Sequence, residues 1–142
     1  MDNRSKELRS RNMAHIHSVD TKPEKIVRLY LYHHGFRYRK NNTKLPGKPD
    51  IVLQKYKTVV FVNGCFWHAH TNCKWFVPPK SNEEFWNAKF EYNKERDRIN
   101  YEKLTEMGWK IIIVWECEIR HGDTEERLSR LINEIRRIEI ND

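Results

Sequence analysis

The feature that most constrains this chain is the placement of its three cysteines. Cys65 and Cys73 lie in the pattern Cys65-x4-His70-x2-Cys73, and Cys117 stands far downstream, just after an apolar run. Three thiolates and one imidazole suit tetrahedral zinc. Such a site would tie a short loop to a distant strand, so any fold must bring residues 65–73 against residue 117. With no open position for a substrate, the site would be structural. The same three residues could instead be ordinary buried thiols. An odd cysteine count argues against a disulfide framework.

The intervening sequence reads as one α/β unit. Thr21-Lys-Pro-Glu24 is a capping box that opens a helix, with Ile26, Val27, Tyr30, Leu31 and His34 as its stripe and Gly35 as its stop. Residues 36–39 fit a short strand, and residues 41–48 a turn-rich loop. Asp50-Ile-Val-Leu53 and Thr58-Val-Val-Phe-Val62 read as a hairpin whose turn centres near residue 56. Asp50 then lies opposite about Val62. Ser81-Asn-Glu-Glu84 reads as a second capping box, opening a long helix that ends at Gly108. Its stripe is Trp86, Phe90, Asn93, Asp97, Tyr101 and Leu104, with two polar residues in an apolar seam. Lys110 to Trp115 is a buried strand. Asp123 and Glu126 cap a last helix carrying Leu128, Leu131, Ile132, Ile135 and Ile138. This order describes a mixed sheet with helices on its faces.

Residues 1–20 are basic and polar and read as an arm preceding a domain over residues 21–142. The chain of 142 residues carries a formal charge of +7, which favours a polyanionic partner such as nucleic acid. No apolar run approaches the roughly 20 residues that span a bilayer. The N-terminal residues lack an apolar h-region, so the expectation is a soluble cytoplasmic protein without a membrane partner.

Three further groupings carry chemistry. Pro49-Asp50 at a strand end can hold Mg²⁺ against a phosphate, or can be a turn aspartate. His68 can act as general base or acid with Asp97 orienting it. Alternatively, Asp97 pairs with Arg96 or Lys110, and His68 is a substitute zinc ligand. Phe66 and Trp67 are adjacent aromatics, one expected buried and one exposed. An exposed one, or Met13 in the arm, can wedge between bases. Glu24 is explained by its capping role.

Ordered stretches of the chain resemble the very short patch repair endonucleases. They are Arg9-Ser-Arg-Asn-Met13, Asp20-Thr-Lys-Pro-Glu24, Leu45-Pro-Gly-Lys-Pro-Asp50, Phe61-Val-Asn-Gly-Cys-Phe-Trp-His68, Phe85-Trp86, Asn93-Lys-Glu-Arg-Asp97, and Gly108-Trp-Lys through Val114-Trp-Glu-Cys117. The resemblance implies a restriction-endonuclease-like mixed sheet flanked by helices, with a structural zinc. It implies nicking of one strand, 5′ of the thymine in a T:G mismatch left by deamination of 5-methylcytosine, and a functional link to a cytosine-5 DNA methyltransferase. Asp50 and the backbone carbonyl of Val62 would bind Mg²⁺, and His68, Asp97 and Glu24 would serve catalysis. Cys65, His70, Cys73 and Cys117 would hold Zn²⁺. Arg9, Arg11, Met13, Phe66, Trp67, Lys89, Asn93 and Arg120 would contact the DNA. The expected enzyme is a bacterial, cytoplasmic, nucleoid-associated monomer.

Two departures stand out. The family places threonine and histidine where this chain has Val62 and Asn63, and the loop between His68 and Cys73 differs by one residue. The competing readings are a zinc-stabilised DNA-binding module without catalysis and a sequence-specific restriction enzyme on the same scaffold.

Overall fold

The computed structural model describes residues 22–40 and 42–137. The basic arm, with Arg9, Arg11 and Met13, lies outside the described residues, as do Thr21 and Ile138.

Helix α1 (Lys22–His33) is followed by strand β1 (Arg39–Lys40), then β2 (Ile51–Leu53), a single 3₁₀ turn (Gln54–Tyr56) and β3 (Thr58–Asn63). Helix α2 (Glu83–Glu106) leads to β4 (Lys110–Trp115), the short α3 (Glu116–Arg120) and α4 (Thr124–Arg136). The four strands form one sheet in the order β1-β2-β3-β4. The first two junctions are antiparallel, and β3 runs parallel to β4 with Asn63 opposite Trp115.

Alternation along the strands explains why both faces are covered. Ile51, Leu53, Val60, Ile112 and Val114 point to one side and pack on α1, α3 and α4 through Val27, Leu31, Ile119, Leu128, Leu131 and Ile135. Val52, Val59, Phe61, Ile111 and Ile113 point to the other and meet Leu104 and Tyr101 of α2. A sheet sandwiched in this way needs apolar residues at successive positions, hence the nearly unbroken apolar runs of β3 and β4.

The expected stripes hold except at His34, which lies exposed beyond the end of α1. On α2, Phe90, Asn93 and Leu104 are buried, and Trp86, Asp97 and Tyr101 are half-buried along the same seam. On α4, Leu128, Leu131, Ile132 and Ile135 are buried, and the Asp123 side chain accepts from the Glu126 amide at 3.0 Å. Helices α1 and α2 both end on glycines with positive φ, Gly35 at +87° and Gly108 at +89°. At the second, Gly108 N–H donates to Thr105 O and Trp109 N–H to Leu104 O, each at 3.0 Å, which satisfies the last carbonyls of α2.

Two expectations are corrected. The box at Ser81-Asn-Glu-Glu84 does not form: Asn82 is the cap residue, in the left-handed region at φ +56°, and makes no side-chain cap bond. Extending the hairpin register places Asp50 opposite Phe61, one residue short of Val62. Helix α3 was not expected, since five residues are too few to display a helical period. Among the described residues no helix is long and apolar enough to cross a membrane.

Candidate active site

The site is assembled where three elements end together. Asp50 immediately precedes β2, and the amide of Val62 near the end of β3 donates to its Oδ2 at 2.7 Å. Glu24, in the first turn of α1, is buried beside it, pairs with Arg28 at 3.2 Å and hydrogen-bonds Asp50. The Glu24 carboxylate therefore faces inward, toward Arg28 and Asp50. Burial pushes the Asp50 carboxyl up from its ordinary 3.8 to about 7, and the negative charge of Glu24 pushes in the same direction. The Val62 amide and Arg28 work against the rise. Two carboxyls that share one hydrogen bond, one buried and one half-buried, accommodate a single proton, or a cation in its place. The Val62 side chain packs into the α1-side core, so its contribution to the site comes from its backbone.

His68 makes a second pairing. Its Nδ1 lies 2.6 Å from Asp97 Oδ2. Arg96 is a more distant neighbour of Asp97 at 3.9 Å. Lys110 is elsewhere, its ammonium donating to the carbonyls of Glu134, Ile135 and Arg137 at the end of α4. In a neutral imidazole, donation of Nδ1–H to Asp97 leaves Nε2 as an acceptor. Asn63, His68, His70, Asp97, Tyr101 and Trp115 line an open cleft of about 580 Å³.

The loop after β3 holds the two histidines apart. Residues 65–69 form consecutive turns, with His68 N–H donating to Gly64 O and His70 N–H to Cys65 O. Ala69, between the histidines, takes φ +44°, a left-handed conformation that a side chain rarely adopts. His68 goes to Asp97, while His70 stacks on Trp115 with ring centroids 3.8 Å apart and lies 3.6 Å from Cys117 Sγ. One ligand atom from each of Cys65, His70, Cys73 and Cys117 falls within 4.8 Å of the others. All three cysteines are free. Burial, with Cys117 nearby, pushes the Cys65 thiol up to about 12. Three thiols and an imidazole nitrogen in that volume form a donor set for a soft or borderline cation. The one-residue difference in the loop does not prevent the four from converging.

The proposed DNA-contacting residues are placed less uniformly. Trp67 is buried and Phe66 half-buried in a cluster with Phe76, Trp86 and Phe90, so neither of the adjacent pair is freely exposed. Asn93 is 1% exposed beneath them, and its amide donates to Trp67 O at 2.9 Å. Lys89 lies over the Tyr92 ring at 5.7 Å. Arg120 is paired with Glu116 at 2.8 Å on the helix that carries Cys117. Sequence reasoning assigned no role in the site to Arg28, Tyr101 or Trp115. The first two sit four residues after Glu24 and Asp97 on the same helix faces, a spacing that could have identified them.

Comparison with known proteins gives concordant results. The family model described as DNA mismatch endonuclease Vsr matches residues 1–74. A type II nicking enzyme, V.NmeAIP of Neisseria meningitidis, is 53% identical over 129 residues, covering 90% of this chain and 91% of that protein. The DNA mismatch endonuclease Vsr of Escherichia coli is 41% identical over 135 residues, covering 94% and 86%. A third relative, the type II nicking enzyme V.XorIIP of Xanthomonas oryzae, is 40% identical over 133 residues, covering 93% and 97%.

The carboxyl pair makes a prediction about stability. A carboxyl whose folded value is raised stabilises the fold below its unfolded value of 3.8, and that contribution is lost as pH rises through about 7. Asp50→Asn removes the charge that becomes unfavourable at high pH. In buffer without divalent cations, this variant should melt a few degrees above the parent at pH 8 and close to it at pH 4. A lower melting temperature at pH 8 would contradict the assigned repulsion.

Proposed function

The chain belongs to the DNA mismatch endonuclease Vsr family, and from that premise we propose that it is a DNA endonuclease that nicks one strand 5′ of the thymine in a T:G mismatch arising from deamination of 5-methylcytosine. The observation that carries this reading is the pairing of His68 with Asp97 at 2.6 Å on a cleft that Tyr101 also lines, together with the Asp50–Glu24 carboxyl pair, whose Asp50 charge acts on that same tyrosine. A DNA-binding module without catalysis has no use for such a pair of acid clusters.

Asp50, assisted by the carbonyl of Val62 and with Glu24 behind it, would hold Mg²⁺. That ion would supply charge neutralisation at the phosphate and lower the pKa of a bound water. The chain's own residues do the rest. Asp97 fixes the imidazole of His68 through Nδ1, and Nε2 takes a proton from the water that attacks phosphorus. The resulting imidazolium is stabilised by the Asp97 carboxylate. Asn63 cannot exchange a proton at neutral pH, so base catalysis falls to His68 alone.

The four-residue cluster would hold Zn²⁺ as a structural ion. Cys65 and His70 bracket His68 in sequence, so a metal there fixes the loop that carries the base. We further read the mixed sheet as a restriction-endonuclease-like core over residues 21–142, with residues 1–20 as a DNA-binding arm. In that arm Arg9 and Arg11 would neutralise phosphates and Met13 would approach a groove. Phe66 and Trp67 would leave their aromatic cluster to fill the step beside a T:G pair, which stacks less well and opens at lower cost. Asn93 would act through Trp67 by holding its carbonyl, while Lys89 and Arg120 would contact the DNA directly. A monomer working in the bacterial cytoplasm beside a cytosine-5 methyltransferase fits this substrate.

Two experiments test the reading. With Mg²⁺, the protein should nick the thymine strand of a T:G duplex and spare a T:A duplex of the same sequence. Asp50→Asn should slow nicking on the order of 10³-fold or more with duplex binding retained. Retention of about a tenth of the parent rate would remove Asp50 from the mechanism, and equal cutting of both duplexes would remove the mismatch. Separately, elemental analysis should find one zinc per chain. Cys117→Ser should lose it and melt on the order of 10 °C lower, because metal affinity is folding free energy here. A parent protein with less than about half a zinc per chain would count against the site.

A further inference from the structure

Tyr101 has no part in the chemistry described so far, yet it lines the cleft beside Asn63, His68 and Asp97. It lies one helical turn beyond Asp97 on α2 and packs edge-on against Phe61, with ring centroids 5.1 Å apart and an interplanar angle of 63°. Its ring is half-buried, and it lines the same cleft as His68. The side-chain amide of Asn63, the last residue of β3, donates to the Tyr101 hydroxyl oxygen at 3.2 Å. Among the described residues nothing accepts the hydroxyl's own proton. Asp97 is engaged by His68, and Asp50 by Glu24 and the Val62 amide.

The charges of Asp97 and Asp50 both act on the hydroxyl. Burial raises the Tyr101 pKa most. Asn63 pulls it back, the charges of both Asp97 and Asp50 raise it further, and the result is about 12. A phenol in this position remains a neutral donor at any pH where a nuclease works. The cleft lining sets the Asp97 carboxylate beside Lys94 and Arg98, and a phosphate oxygen that comes near that carboxylate meets repulsion unless a donor faces it. A hydroxyl with its acceptor side filled by Asn63 has its proton left for the incoming group.

Resting on the nuclease reading above, we propose that the Tyr101 hydroxyl donates a hydrogen bond to a non-bridging oxygen of the scissile phosphate, and that Asn63 orients it by occupying its acceptor side. Tyr101 then holds the phosphate between His68, which activates the water, and Asp50, at the metal end. Asn63 is a positioning residue in this arrangement, because it acts through Tyr101. The donor is supplied by α2 and its orientation by the end of β3, so both elements set the position of the phosphate.

The test is single-turnover nicking of T:G duplexes with Mg²⁺. The cut phosphate carries either two oxygens or a sulfur in the Rp or Sp position. Sulfur is a poor hydrogen-bond acceptor, so it reports which non-bridging atom a donor touches. Tyr101→Phe keeps the ring packed on Phe61 and should slow the all-oxygen substrate on the order of 10–100-fold. One of the two sulfur isomers, which the parent cuts more slowly than the oxygen substrate, should lose that penalty in Tyr101→Phe. The other isomer should respond as in the parent. Asn63→Ala, which leaves the hydroxyl but frees its rotation, should give an intermediate loss. Because each sulfur comparison is internal to one protein, it can be read even if a variant is less stable. Tyr101→Phe within about twofold of the parent, or slow with both sulfur effects intact, overturns the proposal. In either case a parent that nicks and an Asp50→Asn variant that does not would leave the nuclease reading standing. A parent that nicks no duplex overturns both.

Discussion

The parallel pairing of β3 with β4 is the constraint on which the site depends. Its register sets Asn63 opposite Trp115. Two residues beyond each strand end stand Cys65 and Cys117, so the pairing delivers both to one point and the loop between β3 and α2 brings His70 and Cys73 to join them. A shift of one residue in that register would turn the side chains of one strand to the opposite face and separate the thiols. The apolar runs of β3 and β4, buried on both faces, make such a shift costly. The site is thus built from core packing outward.

The two histidines of the loop translate this constraint into chemistry. Left-handed Ala69 divides them, sending His70 onto Trp115 and the cysteines and His68 onto Asp97. In the proposed enzyme the zinc cluster and the general base share a single turn of backbone. Damage to the cluster would displace the base before it reached the carboxyl pair at Asp50, which is held by the hairpin and α1. The left-handed turn at Ala69, the Glu24–Asp50 carboxyl pair and the polar residues Asn93 and Asp97 in the α2 seam are local departures from what packing alone would choose.

How much of this was legible in the sequence follows from the range of each interaction. The α2 seam was readable because a 24-residue helix displays its period many times, and the polar pair Asn93 and Asp97 interrupts it visibly. The Asp50–Val62 contact was readable because a short hairpin turn nearly fixes the register, although the strands pair one residue away from the expected alignment. The cysteine cluster was readable as a set of residue types, and its convergence waited on the fold. By contrast, the inward role of Glu24 depends on α1 bringing it against Asp50, a tertiary fact that its capping sequence conceals. The burial of Trp67 depends on Trp86 and Phe90 arriving from α2, whereas strand alternation was the wrong rule for a loop of consecutive turns. The pairing of Asn63 with Tyr101 joins a strand end to a helix 38 residues away and leaves no local signature.

The most direct measurement of the central claim is a crystal structure of the protein with a T:G duplex and Ca²⁺, an ion that occupies magnesium sites without supporting turnover in many nucleases, with diffraction recorded on both sides of the zinc absorption edge. The account predicts one anomalous zinc peak enclosed by Cys65, His70, Cys73 and Cys117. It predicts a second ion on Asp50 and the Val62 carbonyl, touching the phosphate 5′ of the mismatched thymine, with His68 Nε2 facing that phosphorus across a water. A phosphate bound away from the His68–Asp97 cleft, or an ion held by other residues, would contradict it.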